Sequence, residues 1–315
     1  MVEKPLVSIC CITYNHEKYI RKCLEGFAIQ ETNFAFEILV FDDASVDNTQ
    51  AIILDFAKQH NNVITFLQTE NQWSKKKYGL TEWLFPAAKG KYIALCEGDD
   101  YWTDPLKLQK QVDFMETNID CSLCHHSQNK QINDRLVKDE RYIDLTKSFK
   151  ADANDLFSFK VQPQTRTMLF RNCIKSDLNK PFLWNSIYGD FAMCFILAKY
   201  GLIGYIPESM ATYRITDQGI SRKTRKKNND FLDTRLQLVE MWCQAFIFLK
   251  CDVKSFYLGI TKLYTQGIDR IGRKALKKIT VHWIRVGNNT PIFWNVLSFI
   301  ALKFIKIIRR NDHIN

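Results

Sequence analysis

Lys91 to Trp102 reads KYIALCEGDDYW. Its first part, Tyr92-Ile93-Ala94-Leu95-Cys96, is a short, unbroken apolar run that stops at a glycine. Such a run is the pattern of a strand buried on both faces, as in a parallel sheet. It gives way at once to Glu97-Gly98-Asp99-Asp100. Three carboxylates released at a strand end, with a glycine to let the backbone turn, fall in the crevice where open α/β sheets take their ligands. Carboxylates packed so closely repel one another unless a cation joins them, and a hard divalent ion holding a phosphorylated substrate is the usual solution. Taken alone, the block also reads as a plain polar turn after a strand.

The chain on either side repeats the strand–helix rhythm. Leu6 to Thr13, LVSICCIT, is a buried-strand pattern closed by Tyr14-Asn15-His16, and Glu17 to Gln30 carries apolar residues at helical spacing. Phe36 to Phe41 is a second strand running into Asp42-Asp43. Ser45 is placed to cap the next helix, with Asp47 in its first turn. Val63 to Leu67 is a third strand, and a helix near Leu80 to Ala88 leads to the fourth at Tyr92. Asp104-Pro105 is an N-cap followed by proline in the first turn of a helix to about Glu116. Strands alternating with helices imply a parallel sheet with right-handed crossovers, so both acidic clusters fall at its carboxyl end. Beyond Asn118 the signal is less regular. Cys121 to His126, Thr165 to Phe170, Tyr205-Ile206 and Ala211 to Tyr213 read as strands, and Asp190 opens a helix through Lys199. From Asp230 onward the pattern is helical.

The 315 residues suffice for one sizeable domain with an appendage, or for two. A hydrophobic fraction of 46% and a charged fraction of 25% are ordinary for a folded globular protein. The net charge of +10 admits nucleic acid, anionic lipid or phosphorylated small molecules as partners. Ten cysteines show no spacing of a secreted disulfide framework, and MVEKPLVSICC has no signal-peptide layout. Reduced thiols and a cytoplasmic location are therefore expected. No stretch reaches about 18 uncharged apolar residues, the length of a membrane-spanning helix.

Four stretches together, LVSICCITYNHEKYI, EILVFDDASVDNT, GKYIALCEGDDYWTDPLKLQKQ and YGDFAMCFILAKYG, resemble glycosyltransferase family 2 enzymes of the GT-A fold. The resemblance covers roughly Pro5 to Ser221, with the motifs in the family's order. It implies an α/β catalytic domain over residues 1–221, a mostly parallel Rossmann-like sheet flanked by helices. The nucleotide-sugar half would span about 1–117 and the acceptor half about 118–221. A helical extension, 222–315, carries no motif of the family. The composition break at Ser221 to Asp230, SRKTRKKNND, marks the expected boundary.

The resemblance also implies site residues. Thr13, Tyr14 and Asn15, with Asp42 and Asp43, match positions that hold the nucleotide base and ribose, Asp43 reading the base. A buried carboxylate is well suited to accept from a base N–H; the lesser alternative is that Asp42 and Asp43 cap the turn into the next helix. Glu97, Asp99 and Asp100 match the acidic motif that binds Mg²⁺ or Mn²⁺ with the donor diphosphate. Asp100 is the expected principal ligand, Asp99 supports it or touches the ribose, and Glu97 stands where many relatives have aspartate. Asp190 matches the catalytic base, which takes the acceptor hydroxyl's proton as that hydroxyl attacks the anomeric carbon; by itself it reads as an N-cap, and Gly189 beside it suits either role. Arg214 matches a basic position facing the donor phosphates, and Arg166 is placed on the acceptor side.

The implied activity is a metal-dependent inverting transfer from a nucleotide-diphosphate sugar, with UDP as the expected nucleotide, to a hydroxyl of a glycan or lipid-linked glycan in bacterial surface polysaccharide synthesis. A sugar nucleotidyltransferase is disfavoured, since a Gly-rich triphosphate loop is absent. A nucleic-acid-binding protein is disfavoured too, since no helix-turn-helix, RNP-type or zinc-finger pattern occurs. Cys121-Ser-Leu-Cys124-His125 spells a haem-attachment pattern, but on a strand the two cysteines would face opposite sides. Finally, Ile292 to Arg310 forms a helical wheel with an apolar arc of roughly 220° edged by Lys and Arg. It fits either a helix lying in an anionic membrane interface at the inner face of the cell membrane or one packed on protein.

Overall fold

The computed structural model describes residues 4–142, 144–178, 189–216 and 228–249, with scattered positions from 252 to 263. The first half alternates as expected: β1 (Val7–Thr13), α1 (Ile20–Ala28), β2 (Phe36–Asp42), α2 (Thr49–Gln59), β3 (Val63–Leu67), a π-helical turn (Leu80–Leu84) continuing as α3 (Phe85–Ala87), and β4 (Tyr92–Glu97). There follow β5 (Tyr101–Trp102), α4 (Lys107–Thr117), β6 (Cys121–Ile132), β7 (Arg135–Lys138), β8 (Phe149–Ala151), α5 (Ala153–Phe157), β9 (Leu169–Arg171), α6 (Gly189–Ala198), β10 (Leu202–Ile215) and α7 (Asn228–Leu249).

All ten strands join one sheet in the order β3-β2-β1-β4-β9-β6-β10-β5, with β7 on β6 and β8 on β10. The run β3-β2-β1-β4 is parallel. β9 then lies antiparallel between β4 and β6, so the sheet is mixed. Both faces of β1, β2 and β4 are covered, which is why these strands read as unbroken apolar runs. In β1, Val7, Ile9 and Cys11 enter one core with Ile20, Leu24 and Phe27 of α1, while Cys10 enters the other with Phe85, Phe157 and Phe195. β4 divides likewise, with Tyr92, Ala94 and Cys96 on one side and Ile93 and Leu95 on the other.

β1 has β2 on one side and β4 on the other, so chain order reverses between β1 and β4, the place where α/β sheets open a ligand crevice. The register sets the site there: Thr13 pairs with Asp42, and Ile12 with Glu97.

Local expectations changed where backbone donors found other partners. Ser45 does not cap α2; its hydroxyl donates to Asp42 and accepts from the Asn15 N–H, and the helix begins at Thr49. Asp104 caps a turn before α4, its Oδ1 accepting from Leu106 N at 2.8 Å. Thr165–Thr167 is a 3-10 turn, leaving only Leu169–Arg171 as strand. The two short strands expected around Tyr205 and Thr212 are one, β10, whose register with β6 slips between Ile206 and Ser209. Pro207 lies in that slip and has no N–H to give the ladder.

Cys121 and Cys124 do not face opposite sides. Leu202 pairs with Cys121 and Ile203 with Leu123, so Ser122 is an extra residue that restores both cysteines to one face. Both are buried, and burial pushes the Cys124 thiol up to about 12. The nine described cysteines are free thiols.

Helix α7 packs against the core formed by α5 and α6. Trp242 is fully buried among Phe157, Phe159, Phe191 and Phe195, and its Nε1 donates to Phe157 O at 3.2 Å. The boundary at Ser221 and the amphipathic stretch Ile292 to Arg310 lie outside the described residues. Among the described residues, no helix is long and apolar enough to cross a membrane.

Candidate active site

The loop after β1 is stitched to the loop after β2. Asn15, held at a positive φ of 54°, donates its N–H to Ser45 Oγ and accepts from Val46 N on its side chain; His16 N donates to Thr49 Oγ1 at 2.8 Å. Asp42 is fully buried, with Oδ1 accepting from Ser45 N (2.9 Å) and Gln50 Nε2 (2.6 Å). The Asp43 carboxylate accepts from Gln72 N (2.6 Å), Trp73 N (3.2 Å) and Asn71 Nδ2 (3.0 Å). The two acids therefore shape the crevice wall: Asp42 fixes its own turn, and Asp43 ties the Asn71–Trp73 segment to the end of β2. Tyr14 and Trp73 stay exposed.

At the end of β4 the ligand-type oxygens of Glu97, Asp99 and Asp100 lie within 4.8 Å of one another. Gly98 permits this, because a Cβ there would meet Thr13 Oγ1 at 2.6 Å and His16 Nδ1 at 3.0 Å. The three are not equivalent. Asp100 is fully buried and both its oxygens are engaged, Oδ1 by the Arg214 N–H at 2.8 Å and Oδ2 by Arg166 Nε. Glu97 and Asp99 keep 38% and 19% of their side chains exposed. Desolvation, then the neighbouring Asp99 charge, raises the Glu97 carboxyl, with Arg166 opposing. Asp99 and Asp100 are raised by desolvation in the same way, again against Arg166. Two partly exposed oxygen donors beside a buried third, all bearing charge that repels, suit a hard divalent cation. In this chain Glu97 and Asp99 would hold it from the open side, with Asp100 behind them. Each Asp100 oxygen accepts one arginine hydrogen bond and keeps further lone-pair capacity toward the same cluster.

Asp100 is engaged because β5 pairs antiparallel with β10 and brings Arg214 to the acidic loop. The Arg214 guanidinium donates to Asp99 O at 2.9 Å and lies over the Tyr101 ring at 4.3 Å. Arg166 is not on an open acceptor face. It is 5% exposed, lies over Tyr213, and gives Nη1 to Gln128 Oε1 at 3.0 Å, which in turn donates to Asp139. It is the internal counter-ion of the acidic cluster.

Asp190 stands in the first turn of α6, Oδ1 accepting from the adjacent Phe191 N at 2.9 Å. Its charge contributes, as the smallest of the causes, to raising the Glu97 carboxyl. Desolvation raises the Asp190 carboxyl, against the Phe191 N–H and Arg166. Among the described residues nothing lies within 4 Å of a Cβ placed on Gly189, consistent with open space beside Asp190.

Sequence reasoning missed His16, whose Nε2 lies 4.0 Å from Asp99 and whose Nδ1 is 3.1 Å from Thr13 Oγ1. It stands inside a quoted motif, so a signal existed. Gln128, mid-strand on β6, carried no local signal.

This sheet, with its acidic loop at the reversal between β1 and β4, is the GT-A class of α/β fold. The same architecture occurs in a mannosyltransferase from Pyrobaculum calidifontis solved with GDP-Man and Mn²⁺, at a TM-score of 0.59 and 15% identity, covering 98% of this chain and 81% of that one. The model of glycosyl transferase family 2 matches residues 8–177, and the chain belongs to that family. It is similar to an uncharacterised protein of Mycobacterium tuberculosis, 34% identical over 230 residues, 73% of this chain and 64% of that protein. The chain thus spans somewhat under two thirds of that relative's length. It is also 35% identical over 112 residues to the UDP-Glc:alpha-D-GlcNAc-diphosphoundecaprenol beta-1,3-glucosyltransferase WfaP of Escherichia coli, 36% of this chain and 42% of that protein.

Proposed function

We propose that the protein is an inverting, divalent-metal-dependent glycosyltransferase that moves a sugar from a UDP-sugar to a hydroxyl of a glycan or lipid-linked glycan. One observation carries this reading: the carboxylates of Glu97, Asp99 and Asp100 converge within 4.8 Å at the strand-order reversal; the raised carboxyl of Asp190, whose charge acts on Glu97, supports the choice of base. Family membership supports the reaction class, and the name of the E. coli relative supports UDP and a lipid-linked acceptor.

Thr13, Tyr14, Asn15 and the wall set by Asp42 and Asp43 bind the nucleoside. Glu97 and Asp99 hold the ion, Mn²⁺ or Mg²⁺, which when bound offsets charge on the diphosphate. Arg214, tethered to the Asp99 carbonyl, is placed to accompany the phosphates by charge-assisted bonds. Arg166 pairs with Asp100 beneath them and opposes the rise that burial imposes on its carboxyl. Asp190 Oδ accepts the proton of the acceptor hydroxyl as its oxygen bonds to the anomeric carbon, and the nucleoside diphosphate leaves from the opposite face. A base whose pKa is raised toward neutrality holds that proton better than an ordinary carboxylate.

The test is calorimetric binding and turnover with UDP-, GDP- and dTDP-sugars, with and without Mn²⁺. The expected result is metal-dependent binding of the UDP-sugar, lost in Asp99→Asn. Asp190→Asn should keep binding and lose turnover by about 10²–10⁴-fold, the range for general bases. A folded wild type that binds none of these nucleotides would overturn the reading.

A further inference from the structure

A second binding site lies at the other end of the sheet. A cavity of about 650 Å³ opens where β1 and β4 begin, and Lys4, Lys89, Lys91, Arg171 and Lys175 line it without a single acidic residue. β4 runs from this cavity to the acidic loop, so Lys91 and Glu97 are about 20 Å apart at strand rise. The two sites are distinct.

Two of the five cations are already engaged. Lys91 Nζ is 2.6 Å from Glu116, and Arg171 donates to the Cys121 and Met115 carbonyls. Lys4, Lys89 and Lys175 are exposed and have no ion pair among the described residues. Asn172 lines the same cavity. Its Nδ2 donates to Gly90 O at 3.0 Å, which fixes the amide's orientation and leaves Oδ1 buried without a hydrogen-bond partner. The cavity therefore offers an anion three ammonium groups that have no ion pair among the described residues.

We propose that this cavity binds a phosphate ester, with the phosphate on Lys4, Lys89 and Lys175. Ammonium–phosphate bonds are charge-assisted, and the surplus of positive charge steers such a ligand inward. The chemistry is shared by soluble polyol phosphates and by the headgroup of an anionic glycerophospholipid.

The experiment uses the full chain with sn-glycerol 3-phosphate, by calorimetry, and with phosphatidylglycerol or phosphatidylcholine vesicles, by co-sedimentation. Wild type is compared with Lys89→Ala/Lys175→Ala and with a control, Lys58→Ala/Lys138→Ala, that removes two exposed lysines elsewhere. The expected result is saturable, salt-sensitive binding that the cavity variant weakens at least tenfold and the control does not. UDP-sugar binding should be the same in all three proteins. Binding of glycerol phosphate assigns a soluble ester, and binding of phosphatidylglycerol vesicles alone assigns the headgroup. Either supports the site. Binding of neither, or equal loss in the control, overturns it.

Discussion

Asp100 and Arg166 form the least forgiving pair in the protein. Both are almost fully buried and ion-paired through Nε and Oδ2, and Gln128 and Asp139 fix the arginine from behind. Removing one member of a buried pair strands the other charge, which costs about 3–5 kcal/mol. Arg166→Met should therefore lower the unfolding free energy by that amount in urea. Adding Asp100→Asn should return part of it, since the stranded charge is then gone and the two changes are coupled. A loss under about 1 kcal/mol in the single variant would show that Arg166 is not the counter-ion. None of this pairing was legible in the sequence. Asp100 sat in an acidic motif and read as a ligand, while its two partners come from residues 166 and 214, brought in by strands that only the folded sheet makes adjacent.

Among the elements, β6 joins sites that sequence reading treated separately. Its bulge at Ser122 turns the Cys121–Cys124 pair onto one face and so undid a prediction based on strict alternation. The next residues, His125 and His126, are buried; His125 has no hydrogen-bond partner on either ring nitrogen. Desolvation, helped by Arg141, pushes His125 down to about 3. The sign follows directly. Below about pH 6.5 the unfolded chain takes up a proton that the folded chain refuses, so stability falls as pH drops from 6.5 toward 3. At pH 5 the cost is up to about 2 kcal/mol for this residue. His125→Phe should be close to neutral at pH 7.5 and more stable than wild type at pH 5 by up to that amount, by urea unfolding at both values. An equal effect at the two pH values would remove His125 as a source of acid sensitivity. The long elements, by contrast, were readable. β1, β2 and β4 declared themselves because a strand buried on both faces must be apolar throughout, and the partly exposed edge strand β3 did so by its β-branched and aromatic run. The short β9 and the Pro207 slip in β10 did not, since three-residue pairings and bulges are set by neighbours in space.

At the scale of the whole molecule, the composition break at Ser221 suggested a catalytic domain and a separate helical appendage. The packing of α7 shows that the helix beginning at Asn228 docks on the core of the sheet. Trp242 closes the core face that α5 and α6 form, with ring centroids 5.2 Å from Phe191 and 5.0 Å from Phe195. Phe191 follows Asp190 directly, so the helix that presents the proposed base rests on α7. A change in charge pattern along the chain marks a solvated loop well, but it cannot say whether the next helix docks. Docking depends on which apolar face is left uncovered. Trp242→Ala should accordingly cost about 3–5 kcal/mol, the usual price of emptying a large aromatic site in a core. The loss should appear in a single cooperative transition, because both cores share one sheet. Metal-dependent nucleotide binding per folded molecule should persist, since the crevice walls come from β1, β2 and β4. Turnover should fall more than binding, because the first turn of α6 loses its support. A variant that unfolds α7 in a separate, earlier transition, with the remainder as stable as wild type, would support the two-unit view.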